Sequence, residues 1–167
     1  MERRARFEEI YRRHADAIYA YARRRGPAGL AEDVVAETFL VAWRRLDRVP
    51  ENELPWLYGV ARKVLANQRR GVERRRAAER PLSPEDAAAS APDRRLRDAL
   101  ARLGERDREV LALVAWEGLT LAEAAVVLGC SHVACRVRFH RARRRLARLL
   151  EADGAPLPEP RTEGAAR

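Results

Sequence analysis

Seven arginines, Arg136, Arg138, Arg141, Arg143, Arg144, Arg145 and Arg148, crowd one short stretch, and no acid falls between positions 136 and 150. Guanidinium groups are planar forks that match phosphate oxygens and guanine edges, so this run is suited to a polyanion. A second stretch interleaves the aromatics Trp56 and Tyr58 with Arg62, Lys63, Asn67, Arg69 and Arg70. Flat faces for stacking beside cations for a backbone are what unpaired bases require. The two aromatics are equally suited to packing inside a helical core.

Bond-making chemistry is not indicated. The chain has no Gly-rich phosphate loop, no GxSxG and no HExxH, and its three histidines, His14, His132 and His140, have no evident carboxylate constellation. Neither an enzyme nor a cofactor is expected. Cys130, His132, Cys135 and His140 are all potential metal ligands. On a continuous helix, however, Cys135 and His140 would point about 140° apart, and Cys135 falls in an apolar stripe, so no metal is expected. The sequence leaves any redox role of the two thiols open.

The elements that must carry these residues are helices. Phe7, Ile10, Tyr11, Ile18 and Tyr21 recur at near-helical spacing until Gly26-Pro27. A second helix follows Leu30 with Val34, Val35, Phe39, Ala42, Trp43 and Leu46 and closes at Pro50. A third opens at Pro55 and runs through Leu57, Val60, Ala61, Val64 and Leu65 toward Gly71. Together they predict a three-helix bundle. Farther on, Leu96, Leu100 and Leu103, then Val110, Leu111, Leu113 and Val114, predict two helices broken at Gly104. Thr120-Leu-Ala-Glu123 spells a capping box, Gly129 a helix end and Ser131 an N-cap for a last helix with the stripe Cys135, Phe139, Ala142, Leu146 and Leu149.

Two helices joined by so short a turn form a helix-turn-helix, and the second of them is the arginine-rich one. Such a helix can enter the major groove of DNA. His132, Val133, Arg136, Val137 and His140 are placed to read base edges and Arg143 to Arg148 to grip phosphates, with Ser131, Arg141 and Arg144 counted in the same DNA-binding set.

Composition sets the frame. The chain has 167 residues, 47 % hydrophobic, and a net charge of +9, with Lys63 the only lysine. The arginine excess also suits a GC-rich genome, so its distribution says more than its total. Residues 1–72 hold 15 basic and 10 acidic side chains and residues 93–151 hold 13 and 8, whereas 73–92 balance at 4 and 4. The expected fold class is all-α: two small helical domains, 1–72 and 93–151, joined by a flexible linker at 73–92 that is rich in Pro, Ser and Ala, with a disordered tail at 152–167. No apolar run is long enough for a membrane span, and MERRARFEEI is charged where a signal peptide would be apolar. A cytoplasmic protein is expected, without membrane insertion.

FEEIYRRHADAIYAYARRR, AEDVVAETFLVAWRRLDRV, LPWLYGVARKVLANQRR and LARLGERDREVLALVAWEGLTLAEAAVVLGCS with RFHRARRRL, in that order, resemble a bacterial RNA polymerase sigma factor of the sigma-70 family, in its extracytoplasmic-function (ECF) class. The resemblance covers residues 5 to 150. It implies a region 2-like first domain that docks on the coiled coil of the polymerase beta-prime subunit through the helix 31–46, to which Asp33, Glu37, Phe39 and Trp43 correspond. Phe39 and Trp43, four apart, suit the core better, while Asp33 and Glu37 share the other face.

By the same resemblance, 47–70 melts and captures the minus-ten promoter strand through Trp56, Tyr58, Arg62, Lys63, Asn67, Arg69 and Arg70. The region 4-like second domain binds the beta flap and reads the minus-thirty-five element with 131–148. Where relatives often carry a small residue and a threonine, this chain has Val133-Ala134 and Val137, which shifts reading toward thymine methyl groups. The implied partners are core RNA polymerase, promoter DNA and an anti-sigma factor, with the protein at the nucleoid when bound to polymerase. The rival reading is a stand-alone regulator with an N-terminal sensor or dimerisation module, which has no reason to place aromatics and cations as 56–70 does.

Overall fold

A computed structural model describes residues 2–26, 29–76 and 91–152. Among the described residues there are seven α-helices, one short 3-10 turn and no strand. The chain divides into two compact units, one built on the first three helices and one on the rest, except that Ala125–Gly129 group with the first.

In the first unit, α1 (Glu2–Arg25), α2 (Ala31–Arg44) and α3 (Glu53–Arg76) pack pairwise into a three-helix bundle. Apolar residues three and four apart give each helix one face to bury. Ile10, Ile18 and Tyr21 come from α1, Val34, Phe39 and Ala42 from α2, and Leu57, Tyr58, Ala61, Val64 and Leu65 from α3. Tyr11, expected in the stripe of α1, is exposed. Gly26 follows α1 because a Cβ there would meet the carbonyl oxygen of Ala22 at 2.9 Å and the side chain of Leu65 at 3.0 Å.

One carboxylate ties α1 to the start of α3. Glu53 lies in the first turn of α3, where the helix dipole favours a negative charge. Its Oε2 sits 3.2 Å from Nε2 of the buried His14 and 3.3 Å from an Arg13 nitrogen. Helix α3 starts two residues before Pro55 and continues past Gly71, so the first four residues of the expected linker are helical. The next helix likewise begins at Ala91, inside the expected linker. The rest of that linker, 77–90, and the tail beyond Ala152 lie outside the described residues, as does Pro27.

The second unit comprises α4 (Ala91–Ala101), α5 (Glu105–Ala115), the start of α6 (Leu121–Leu128) and α7 (His132–Ala152), with α7 packed against both α4 and α5. Its buried residues include Ala99, Leu103, Val110, Leu113, Cys135, Ala142, Leu146 and Leu150. Leu150 takes the buried place expected of Leu149, and Phe139 is only half-buried.

Candidate nucleic-acid interface

The turn before α7 is fixed by three local devices. At the start of α6 the Glu123 carboxylate accepts the Thr120 amide at 2.9 Å, and the Glu123 amide donates to the Thr120 hydroxyl at 3.2 Å, closing the capping box. Gly129 ends α6 at φ 64°, a left-handed conformation that costs glycine little. Ser131 Oγ then accepts the Ala134 amide at 3.2 Å, and the Ser131 carbonyl begins the ladder of α7 by accepting the Cys135 amide at 2.9 Å. Free backbone donors at both helix starts are thereby satisfied within a few residues of the turn.

Helix α7 presents two opposed faces. Cys135, Ala142, Leu146 and Leu150 are buried on one. At about 100° per residue, Val133, Val137, His140 and Arg144 fall on a stripe roughly 180° away. All four are exposed, as are His132, Arg136, Arg141, Arg143, Arg145 and Arg148. None of those exposed arginines forms an ion pair among the described residues. Burial, with the neighbouring Cys130 as a lesser cause, pushes the Cys135 thiol above its ordinary range.

The 56–70 segment is more divided. Lys63, Asn67, Arg69 and Arg70 are exposed on α3, with Arg70 donating to the Asn67 side chain and Arg69 to the Arg25 carbonyl. Trp56 and Arg62 are half-buried. Of the two readings open for Tyr58, stacking face or packing residue, the structure shows packing: it is 3 % exposed, with its ring 5.0 Å from that of Tyr21. It belongs to the bundle core because it shares a helix face with Leu57, Ala61 and Leu65.

On α2, Asp33 and Glu37 are exposed one turn apart. Phe39 is buried among Phe7 and Tyr11, with ring centroids at 6.3 and 4.7 Å, so it packs beneath the surface, as its spacing from Trp43 suggests. Trp43 is 38 % exposed, packed edge-on against Phe7 at 5.2 Å and covered in part by the Arg3 guanidinium at 5.3 Å. It is both packing residue and surface.

Residues 10–76 match the family model for sigma-70 region 2, and residues 93–146 that for sigma-70 region 4. The chain is 34 % identical to the ECF RNA polymerase sigma factor SigL of Mycobacterium tuberculosis strain H37Rv, over 87 % of this chain and 89 % of that protein. It belongs to the ECF sigma factors of the sigma-70 family. RNA polymerase sigma factor CarQ of Myxococcus xanthus is 34 % identical, with 86 % of this chain and 88 % of CarQ covered. Among solved structures, the sigma factor RpoE in complex with the anti-sigma factor NepR, from Bartonella quintana, matches at TM-score 0.68 and 27 % identity, covering 88 % of this chain and 98 % of that one. CnrH, the name of an RNA polymerase sigma factor of Cupriavidus metallidurans, in complex with the cytosolic domain of CnrY matches at TM-score 0.61 and 33 % identity over 89 % of each chain.

Two surface residues of this sigma factor escape a reading by pattern. Leu40 is 46 % exposed on the same stripe of α2 as Asp33 and Glu37, and Trp116 is exposed at the C-cap of α5. Leu40 is out of phase with the buried stripe of α2, and that mismatch is the signal that could have found it; Trp116 follows a helix buried at four consecutive positions, 110–113, so phase gives no signal there. Among the described residues no helix is long and apolar enough to cross a membrane.

Proposed function

We propose that this sigma factor docks on core RNA polymerase through α2, holds the melted minus-ten strand along α3, and reads the minus-thirty-five element with α7. The single observation that supports this best is the surface of α7: a capped helix whose outward face carries arginines without ion pairs among the described residues, opposite a buried stripe. His132, Val133, Arg136, Val137 and His140 lie in its first three turns, where base edges are read, and Arg141, Arg144 and Arg148 farther along, where phosphates are gripped. Ser131 serves as the cap and positions them.

On the first unit, Lys63, Asn67, Arg69 and Arg70 contact the strand, Trp56 offers a partly open face for a base, and Arg62 flanks it. Tyr58 has no part in that contact. Asp33 and Glu37, with Leu40 between them and the partly exposed Trp43, form the polymerase-binding surface, acidic at its rim and apolar within, as protein interfaces are. The partner there is the beta-prime coiled coil, and the second unit meets the beta subunit. The protein supplies no catalytic residue; it recruits and orients. Two of its structural neighbours are described in complex with protein partners, one of them named an anti-sigma factor, and an inhibitor of that kind is proposed here too.

Transcription in vitro with core RNA polymerase and fragmented genomic DNA tests the reading. Transcripts whose 5′ ends appear only with this protein, downstream of two shared and evenly spaced elements, are the expected result. Absence of new starts, with duplex DNA still bound by the protein alone, overturns it in favour of a stand-alone regulator.

A further inference from the structure

Val133 and Val137 are the anomaly on α7. They are 60 % and 45 % exposed, one helical turn apart, in the middle of a cationic face. Neither belongs to the core, since the buried Cys135 lies about 160–200° around the axis from both. Helix formation does not call for them either, because a β-branched side chain is among the weaker helix formers and alanine would serve better at an exposed position. Arg136 and His140 flank them, Arg141 and Arg144 follow, and no acid interrupts the sequence from 136 to 150. An acidic, base-bearing groove fits that frame, and within a major groove the apolar feature that a valine can contact is the thymine 5-methyl group.

We propose that Val133 and Val137 are specificity-determining residues that read thymine methyl groups in the upstream promoter element, with Arg136 beside them reading a guanine. The inference rests on the reading of α7 as a major-groove helix and goes further by naming what two of its residues recognise. Geometry limits the pattern: four residues advance about 6 Å along the helix, against a rise of about 3.4 Å per base pair, so the two methyl groups lie one or two base pairs apart. A valine has no donor or acceptor, so it accepts thymine by contact and gains nothing from the uracil that lacks the methyl.

The test uses holoenzyme assembled from this protein and core RNA polymerase. An upstream element is first enriched from random duplex DNA, then resynthesised with uracil in place of thymine at one position at a time. Expected is an affinity loss of about fourfold at each of two positions no more than two base pairs apart, the value of one buried methyl. Holoenzyme carrying V133A and V137A is expected to bind thymine and uracil duplexes alike while keeping its preference at the guanine. An element without such thymines, equal binding of the two duplexes by the natural protein, or unchanged discrimination by the variant would each overturn the proposal and leave α7 as a DNA reader of another kind. Failure to enrich any upstream element, with transcription starts also absent, overturns the major-groove reading itself and the proposal with it.

Discussion

The N-terminal half of α1 and the outer face of α7 are both rich in arginine, yet their arginines are occupied differently. On α1, Arg3 pairs with Asp47 at 2.8 Å, Arg4 with Glu8 at 2.8 Å, Arg12 with Glu9, and Arg13 with both Glu9 and Glu53. On α7, Arg136, Arg141, Arg143, Arg144, Arg145 and Arg148 have no acid partner among the described residues. Residues 1–72 and 93–151 carry the same excess of basic over acidic side chains, 15 against 10 and 13 against 8. Net charge per segment therefore does not separate these two surfaces; ion pairing among the described residues does. A guanidinium already held by a carboxylate must lose that partner before it can take a phosphate, whereas one facing only water and counterions releases them on binding.

Substitutions test this contrast, and the largest effect is expected at Asp33 and Glu37, exposed acids with no ion pair among the described residues. Changing Asp33 and Glu37 together to Lys puts like charge at a proposed interface, a cost of several kcal/mol. Capture by core polymerase should fall by about a hundredfold or more with the helical circular dichroism unchanged; undiminished capture would remove these acids from the docking surface. Next comes Arg136→Ala, which should weaken binding of the preferred upstream element by about 1–3 kcal/mol and relax selectivity at one base pair. Equal loss on every duplex sequence would make Arg136 a phosphate contact. Arg144→Ala should weaken all duplexes alike and reduce the slope of log affinity against log salt by about 0.9. Smallest is Arg4→Ala on α1: an exposed i,i+4 pair contributes a few tenths of a kcal/mol, so neither melting temperature nor salt slope should move measurably. A salt slope that drops as much as for Arg144→Ala would erase the distinction between the two surfaces.

Much of the fold was legible in the sequence because its signals are local. The capping box at Thr120 and Glu123, the left-handed Gly129, the Ser131 cap and the stripe through Cys135, Ala142 and Leu146 each depend on residues a few positions apart, and each is present. What periodicity could not decide was which aromatic faces water. Tyr11 and Tyr58 both occupy plausible apolar positions, yet Tyr58 is in the core against Tyr21 while Tyr11 is exposed beside Phe39. That outcome depends on how three helices meet, which no single helix encodes. The pairing of Arg3 with Asp47 and of His14 with Glu53 was invisible for the same reason, since each joins residues far apart in the chain. The candidate site on α7 was more legible than that on α3 because its outward residues stand opposite a buried stripe that spacing reveals, whereas on α3 the same aromatic types serve packing and surface, with Tyr58 buried and Trp56 half-buried.

The opposition of faces on α7 also bears on how such a protein can change over generations. Side chains that hold the second unit together and side chains proposed to choose the promoter sit on one helix but point in opposite directions, so they answer to separate selective pressures. Substitutions at 133, 136, 137 and 140 can redirect the protein to a different set of genes while Cys135, Ala142 and Leu146 keep the helix seated. On the proposed reading, specificity is a replaceable surface on a separately held mount, and a change of target need not pass through an unstable intermediate.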